Sequence, residues 1–417
     1  MTVAQRTGAV TRLEDVELYD PDVYVRGVPH DMFALLRREA PVHWQREAHG
    51  PGYWAITRYD DVVQVSRDSA TFSSAVGSAL LEDPWTPEDL ASMQLMMLNM
   101  DPPRHSKLRS LVNKGFTPRM ITQLKEQVRD RCRMIVDAVA ERGSCDFVTE
   151  IAAELPLQVI ADMVGIPQMD RRQIFEWSNK LIGFDDPEFQ NSREEAQLVS
   201  MQMYEYANQL ALQRRDSAQD DLVSVLMRAE VDGERLSELE FDLFFLLLAV
   251  AGNETTRNLI SGGMLALIEQ PEQRRRLLDD RSLLDTAVEE MLRWVTPVMQ
   301  FRRTATTDTE IRGQRIRANE KVVIYYPSAN HDEDVFPDPD RFDVGRSPNE
   351  HLTFGGGGTH FCLGANLARL EIRLIFEELL NRLPDVELAG PARRLRSNFI
   401  NGIKEMPVRF TPQPAGG

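Results

Sequence analysis

The residues best suited to chemistry lie in one stretch of the sequence, FGGGGTHFCLGA at residues 354–365. Four consecutive glycines let a backbone approach a flat, bulky group without Cβ clashes. Cys362 follows them at the predicted start of a helix, where backbone N–H groups lower the pKa of a thiol and stabilise its thiolate. A thiolate is also a soft ligand for iron. The stretch therefore indicates a site built around Cys362.

Other interpretations of this loop compete with an iron site. A phosphate-binding loop does not fit, because no Lys-Ser/Thr pair follows the glycines. A zinc site does not fit, because Cys132 and Cys145 lack the close spacing of zinc ligands. A flexible glycine turn beside a buried cysteine stays open on this stretch alone, since free cysteine is a common small core residue.

A second candidate site ends the apolar run 243–252, where the sequence continues as AGNETT. Gly252 and Thr255 weaken the hydrogen-bond ladder of the predicted helix, and a threonine hydroxyl can bond back into it. A carboxylate beside a hydroxyl, here Glu254 and Thr255, can deliver protons in order. The alternative is a helix that simply leaves the core at this point.

Two further pairs carry charge at helical spacing. Glu290 and Arg293 form an i,i+3 acid–base pair, which alone is usually a solvated surface feature. His105 and Arg109 lie one turn apart on the same face of a predicted helix that follows two prolines. The alternative for this second pair is a surface helix with a basic face.

Taken together, these motifs resemble those of the cytochrome P450 family. FGGGGTHFCLGANLAR resembles its haem-binding loop, and AGNETT, the Glu290–Arg293 pair and PDRF at 339–342 follow the family's order. Phe354 lies eight positions before Cys362, one more than the general pattern. This insertion and FINGIKEMPVRF at 399–410 are similar to the actinobacterial branch that hydroxylates sterol side chains and methyl-branched lipids.

The resemblance implies haem b as cofactor, with Cys362 as its axial thiolate ligand, and dioxygen as co-substrate. It implies that Thr255 positions dioxygen and a water, and that Glu254 relays protons. It also implies a structural triad of Glu290, Arg293 and Arg341.

Four residues match the family's contacts to the haem propionates, where charge-assisted hydrogen bonds would fix the haem orientation. They are His105, Arg109, Arg303 and His360. Arg302 is adjacent to Arg303, which is chosen because Ala305, Asp308 and Glu310 match the family pattern in that register.

The predicted function is a haem-thiolate monooxygenase that inserts one oxygen atom from O2 into a C–H bond of a lipophilic substrate, a steroid, branched lipid or terpenoid. By resemblance, Leu247, Val250 and Met299 face the substrate. The methionine-rich stretch 93–100 lies where the family places a substrate-covering loop, and methionine adapts to irregular apolar shapes. Ordinary helix core is the alternative for that stretch.

Electrons must come from another protein, because no flavin, nicotinamide or iron–sulfur segment is evident in the sequence. By resemblance the donors are a ferredoxin and its reductase. A basic face could receive an acidic donor, or its charges could merely be solvated; its members are Arg104, Lys107, Lys114 and Arg373. A peroxide-driven enzyme and a non-catalytic haem-binding sensor or carrier are the competing functions.

The elements that must position these residues are mostly helical. Residues 53–66 predict a strand followed by a helix, 119–290 are mainly helical, and 302–326 return to strand. A further helix is predicted from about 363 to 383. Apolar residues recur on the helix near 120–140, at Leu124, Val128, Met134, Ile135 and Val139. The fold class is mainly α (α+β), with the whole chain, 1–417, expected to form a single cytochrome P450 domain.

Composition and sequence pattern disfavour several other classes of protein. Among 417 residues, 48 Lys+Arg against 65 Asp+Glu give a net charge of −17, which disfavours nucleic-acid or anionic-membrane binding. The ten-residue apolar run is too short to span a bilayer, so no stable membrane insertion is expected. The first residues lack a secretory signal, and three cysteines cannot form a disulfide framework. These features predict a cytoplasmic location.

Overall fold

The computed structural model describes residues 10–84, 86–113, 116, 118–189, 192–214, 226, 230–231 and 233–414. Helices dominate it, as predicted, and they are α1 (His30–Glu39), α2 (Tyr59–Arg67), α3 (Pro87–Met93), α4 (Arg104–Asn113), α5 (Pro118–Ala140), α6 (Glu154–Val164), α7 (Arg171–Ile182), α8 (Arg193–Arg214), α9 (Glu238–Glu269), α10 (Pro271–Asp279), α11 (Leu284–Val295), α12 (Tyr326–Ala329) and α13 (Ala365–Arg382). The strands are short, and they are β1 (Val42–Gln45), β2 (Tyr53–Ile56), β3 (Phe72–Ser73), β4 (Ser144–Asp146), β5 (Glu230–Val231), β6 (Glu234–Arg235), β7 (Gln300–Ala305), β8 (Thr309–Ile311), β9 (Gln314–Ile316), β10 (Lys321–Tyr325), β11 (Glu387–Leu388), β12 (Arg393–Arg394), β13 (Ile403–Glu405) and β14 (Pro407–Arg409).

The largest sheet joins the two predicted strand regions of the chain. Its five strands lie in the order β1-β2-β10-β7-β3, with β10 parallel to β2 and antiparallel to β7. The predicted strand and helix at 53–66 are confirmed by β2 and α2. In β7, Arg303 pairs with Val322 of β10. Because side chains alternate along a strand, Arg302 and Arg303 point to opposite faces of this sheet.

Helix α9 runs through the core and is the longest element. Ser237 caps it in a capping box with Glu240, which satisfies the free N–H groups of its first turn. Buried side chains occur all around the helix, as expected for a helix surrounded by protein. Glu254 and Thr255 lie in its middle and are therefore held by a rigid element. Among the described helices, none combines the length and apolar character of a membrane span.

The apolar face predicted for the helix near 120–140 is largely correct. Val128, Ile135 and Val139 of α5 are buried in the main core. Met134 was wrongly included, because its side chain is 58% exposed. Adjacent residues are about 100° apart around a helix, so Met134 and Ile135 cannot both lie on a narrow stripe.

A buried ionic cluster links α11 to the loop that precedes the glycine cluster at 355–358. The Glu290 carboxylate is fully buried and accepts hydrogen bonds from Arg293 Nε and Nη2, each at 2.9 Å. The third member is Arg346, whose Nε lies 3.1 Å from Glu290 Oε2. The prediction of Arg341 was wrong: its side chain is exposed, and only its carbonyl oxygen accepts from the cluster.

We expect Arg346→Ala to lower the free energy of unfolding by about 1.5–3 kcal/mol, the usual cost of losing hydrogen bonds to a charged group. Arg341→Ala is the matched control and should change it by less than about 0.5 kcal/mol, as exposed substitutions usually do. Denaturant unfolding monitored by circular dichroism measures both. Equal effects of the two substitutions would contradict the assignment of Arg346 to the cluster.

Candidate active site

The glycine loop closes on itself before α13 begins. The Cys362 N–H donates to the Phe354 carbonyl oxygen at 2.9 Å. Gly355, Gly357 and Gly358 have φ values of 101°, 90° and 76°, in the left-handed region that other residues rarely adopt. The glycines therefore set the turn that places Cys362 just ahead of the helix.

The four glycines do not all face a ligand, contrary to the prediction from the sequence. A Cβ at Gly356 would lie 2.7 Å from Ser66 Oγ, and one at Gly358 would overlap the Ser66 carbonyl oxygen. Gly356 and Gly358 are thus required by close packing against α2. Gly355 is the member of the cluster that lines the cavity described below.

The pKa of the Cys362 thiol reflects two opposed influences. Burial raises this pKa, while the N–H groups of Gly364 and Ala365 and the charges of Arg109 and Arg369 lower it. Burial is the largest of these influences. The N–H groups at the start of α13 nevertheless act as the sequence predicted.

Cys362 and Thr255 both lie in the wall of an internal cavity. The cavity has a volume of about 260 Å³. Its wall is mostly apolar and includes Met97 and Leu98 from the methionine-rich stretch. From α9 it receives side chains at successive turns of one face, namely Phe244, Leu247, Leu248, Ala251 and Thr255.

Of the three predicted substrate contacts, the structure places one in this wall. Leu247 lines the cavity, whereas Val250 and Met299 are not among its lining residues. Val250 is partly buried and packs against the small apolar cluster of Ile182, Leu395, Phe399 and Ile400. Met299 is buried, and its backbone pairs with that of the neighbouring segments.

Thr255 and Glu254 point to different sides of α9. Thr255 Oγ1 faces the cavity and donates to the Ala251 carbonyl oxygen at 2.6 Å. Glu254 is fully buried outside the cavity wall and is ion-paired with Arg257, one turn along. Burial raises the pKa of Glu254, and Arg257 opposes this shift.

Arg257 in turn donates to Asn179 Oδ1 of α7 at 2.5 Å. The sequence analysis missed both partners, although the i,i+3 spacing of Glu254 and Arg257 could have indicated the pair.

Three of the four predicted propionate contacts, His105, Arg109 and His360, line the cavity, and the fourth, Arg303, lies near His105 and His360. The rings of His105 and His360 stack with centroids 4.2 Å apart, and His360 Nε2 donates to the Met100 carbonyl oxygen at 3.0 Å. Burial, then the charges of Arg303 and His105, lower the pKa of His360 to about 3, so this ring is a neutral donor. Arg109 donates to the Phe361 carbonyl oxygen at 2.6 Å.

Arg303 and Arg302 occupy the opposite faces that their strand predicts. Arg303 is buried and lies close enough to His105, His360 and Tyr326 to shift their pKa values. Arg302 pairs with Asp83 at 2.6 Å. The placement therefore supports the choice of Arg303 over Arg302.

Another residue of the cavity wall was missed by the sequence analysis. Glu371 lies on α13 in line with Leu363 and Leu367, all three of which face the cavity. Burial raises the pKa of Glu371 to about 8. Only the four-residue spacing from Leu367 could have indicated its position.

Comparison with known proteins agrees with this arrangement. The cytochrome P450 family model matches residues 29–388. A steroid C26-monooxygenase of Rhodococcus jostii is 45% identical over 97% of this chain and 86% of its own length. A methyl-branched lipid omega-hydroxylase of Mycobacterium tuberculosis H37Rv is 46% identical over 96% of this chain and 95% of its own. The solved cytochrome P450 CYP268A2 of Mycobacterium marinum, in complex with pseudoionone, aligns with a TM-score of 0.88 at 43% identity, covering 97% of this chain and 100% of that one.

The fold, the cysteine loop and these similarities place the chain in the cytochrome P450 family. It is a haem-thiolate monooxygenase, an oxidoreductase that uses dioxygen as co-substrate.

The residues present fit the haem that the family carries. The cavity holds the Cys362 thiol on one wall, and a metal bound there would deprotonate it. His105 is buried with no hydrogen-bond partner for Nδ1. Within the described part of the chain, the guanidinium groups of Arg109 and Arg303 donate to amide, hydroxyl and backbone carbonyl oxygens, not to carboxylates. A buried polar atom and two such cations suit the two carboxylates of haem b.

We expect the double variant His105→Ala, Arg109→Ala to lose haem at least tenfold faster, because each contact to a charged group contributes about 1.5–3 kcal/mol. The haem that stays bound should keep a thiolate-type spectrum, since Cys362 is unchanged. Transfer of haem to apomyoglobin measures the rate. Arg104→Ala, on the same helix but 52% exposed in its side chain, is the control. An unchanged rate in the double variant would contradict the propionate assignment.

Proposed function

We propose that this protein hydroxylates a steroid or a methyl-branched lipid, with electrons from a separate ferredoxin and its reductase. The observation that supports a lipophilic substrate is the mostly apolar cavity wall on the side of Thr255. The two relatives named for such substrates are more than 40% identical over nearly the whole chain. A terpenoid is also a lipophilic ligand and is the third candidate substrate.

The proposed roles follow from where the side chains lie. Cys362 would hold the haem iron through its thiolate, and the bound haem would supply the chemistry that activates dioxygen. Arg303, His105, Arg109 and His360 would orient the haem through its propionates. The apolar wall, including Leu247, excludes water and packs against the substrate.

Proton delivery is assigned to Thr255 and Glu254. The Thr255 hydroxyl lies in the cavity wall, where it can turn from the Ala251 carbonyl towards dioxygen and a water. Glu254 is held on the other side of α9 by Arg257, so it must leave this ion pair to pass a proton to the cavity. Burial raises the pKa of Glu254, which favours its protonated form, and the Arg257 charge opposes this shift.

The proposed donor site is the face that carries Arg104 and Lys107 of α4 and Arg373 in the middle of α13. Arg104 lies 3.6 Å from Glu240, and Arg373 lies 2.7 Å from Asp285. Their charges are thus partly neutralised, whereas Lys114 lies outside the described residues. An acidic ferredoxin would have to compete with these carboxylates, which predicts binding that weakens steeply with salt. A cytoplasmic location is proposed from the three free cysteines.

Titration of the purified haem protein with candidate ligands tests the proposal. We expect a sterol with an intact side chain or a methyl-branched fatty acid to shift the haem absorption and to yield a hydroxylated product with ferredoxin, reductase and NADH. Ligand binding without any product would favour a haem-binding sensor or carrier instead. Product formed equally well from hydrogen peroxide alone would favour a peroxide-driven enzyme.

A further inference from the structure

One thioether of the methionine-rich segment 93–100 lies at the active site. Met97 lines the cavity that also holds Thr255 and Cys362, and among the described residues of this wall it is the only methionine. Its neighbour Met96 packs against the main core and does not line the cavity. The sequence could not distinguish these two methionines, whereas the structure gives them different surroundings.

The segment that carries Met97 is held by hydrogen bonds on both sides of it. Asn99 Nδ2 donates to the Met93 carbonyl oxygen at 3.1 Å. The Met100 carbonyl oxygen accepts from His360 Nε2 at 3.0 Å. These bonds fix the backbone around Met97, so the folded chain keeps this residue at the cavity.

The surroundings of Met97 suit a thioether and do not suit a more polar group. Met97 also borders a second, much smaller cavity of about 10 Å³, whose lining residues are apolar apart from Glu240. A thioether is polarizable and adapts to such a place. The oxygen of a sulfoxide would need a hydrogen-bond donor, which neither aliphatic side chains nor an ionised carboxylate can provide.

The enzyme itself can supply an oxidant for this sulfur. A monooxygenase that receives electrons without a C–H bond to attack releases them as hydrogen peroxide, formed from dioxygen, two electrons and two protons. Peroxide released beside Cys362 shares a cavity with Met97. Peroxide converts accessible methionine to its sulfoxide, a polar and chiral side chain.

We propose that Met97 is an oxidation site that reacts with hydrogen peroxide released inside the cavity and thereby limits turnover that yields no product. The inference rests on the proposed binding of the substrate in this cavity. The sulfur donates an electron pair to one peroxide oxygen, so that an S–O bond forms as the O–O bond breaks. The other oxygen leaves as water with both protons, so methionine loses two electrons and peroxide gains two. A methionine sulfoxide reductase with a thiol reductant would restore the thioether.

Oxidation of Met97 should weaken the binding of the substrate. The sulfoxide oxygen finds no donor among the apolar residues around it, so the side chain has to leave its place in the wall. We expect the dissociation constant of the substrate to rise about tenfold, as for a buried polar group left without a partner. A bound substrate covers the cavity wall, so productive turnover should spare Met97.

The experiment supplies the holoenzyme with ferredoxin, reductase and NADH, without substrate and with catalase in the solution. Catalase destroys the peroxide that leaves the protein, and peptide mapping by mass spectrometry measures the sulfoxide at each methionine. We expect sulfoxide at Met97, while the exposed methionines stay reduced; these are Met134, Met169 and Met201, with exposures of 58%, 86% and 66%. Peroxide added without NADH should give the opposite order, since oxidation then follows exposure to solvent.

Met97→Leu and its matched control Met96→Leu test the consequence for binding. Both replace a thioether by an aliphatic side chain of similar volume. After substrate-free turnover, a sterol with an intact side chain should bind about tenfold more weakly to the wild type and to Met96→Leu. Met97→Leu should keep its own starting affinity. The carbon monoxide spectrum shows in each case that the haem is intact.

Three results would overturn the proposal. They are an unoxidised Met97 after peroxide has been released, the absence of any peroxide from substrate-free turnover, and an equal loss of affinity in Met97→Leu. A sterol that fails to bind even the unoxidised protein would contradict the proposed substrate class instead. In that event the position of the sulfoxide still decides whether Met97 is the oxidation site.

Discussion

Cys362→Ala is expected to fold, to bind haem weakly and to lose the thiolate-type carbon monoxide spectrum together with all monooxygenase activity. The thiol lies in the cavity wall at the start of α13, where N–H groups and two arginines favour its charged form. Alanine removes the sulfur without altering the closed loop, whose Cys362–Phe354 hydrogen bond is made by the backbone. Difference spectra of the reduced protein with carbon monoxide measure the outcome.

Cys132→Ala and Cys145→Ala are the controls for this prediction. Cys132 is buried on α5 and Cys145 lies on β4, and burial raises the thiol pKa of both above the ordinary range. Neither lies in the cavity wall, so both variants should keep the thiolate spectrum. If the spectrum survives in Cys362→Ala and disappears in one of the controls, the ligand assignment moves to that cysteine.

The parts of the fold that were predictable from sequence are those set by local pattern. Strand β2 and helix α2 follow from β-branched and aromatic residues in 53–66, and α13 from the helical run after the glycine loop. The order of strands β1-β2-β10-β7-β3 did not follow, because it joins segments more than 200 residues apart. No local periodicity specifies such a pairing.

Within the site, the family resemblance predicted which residues come together but not which way each one points. Arg303 was chosen over Arg302 from the match of Ala305, Asp308 and Glu310 to the family pattern, and strand alternation in β7 places the two arginine side chains on opposite faces. Arg346 could not be distinguished from Arg341, because both lie in an irregular loop whose backbone path decides which side chain returns to Glu290. Met299 precedes β7, where no strand alternation indicates the direction of its side chain, and it does not line the cavity.

The glycine cluster illustrates a different limit. The sequence predicted that the glycine backbone closely approaches another group, but it did not predict that Gly356 and Gly358 approach Ser66 of α2, nearly 300 residues earlier in the chain. A run of glycines indicates close approach of some group. Only the tertiary structure identifies that group.

Glu254 and Thr255 show what the fold adds to a motif of adjacent residues. Neighbours on a helix are about 100° apart, so one side chain reaches the cavity while the other is buried behind it. The Thr255 hydroxyl therefore lies at the cavity, whereas Glu254 is ion-paired with Arg257. In the proposed mechanism, Glu254 would have to leave this ion pair before it could pass a proton to the cavity. The two substitutions should consequently fail in different ways.

Thr255→Ala is expected to bind substrate and accept electrons normally but to lose product, with reducing equivalents released as hydrogen peroxide. Substrate contacts come from the apolar wall, whereas a positioned proton-transfer group is typically worth about 10²–10⁴-fold. Glu254→Gln should slow turnover more than it lowers the ratio of product to NADH consumed. The reason is that protons would have to travel a longer route to the cavity, while the cavity keeps its shape. The measurement is the ratio of product to NADH consumed, with peroxide assayed in parallel, and Thr255→Ser is the control that keeps the hydroxyl and should keep the coupling. Wild-type coupling in Thr255→Ala would mean that this threonine only caps the Ala251 carbonyl within α9, and proton delivery would then have to be assigned to another group in the cavity wall.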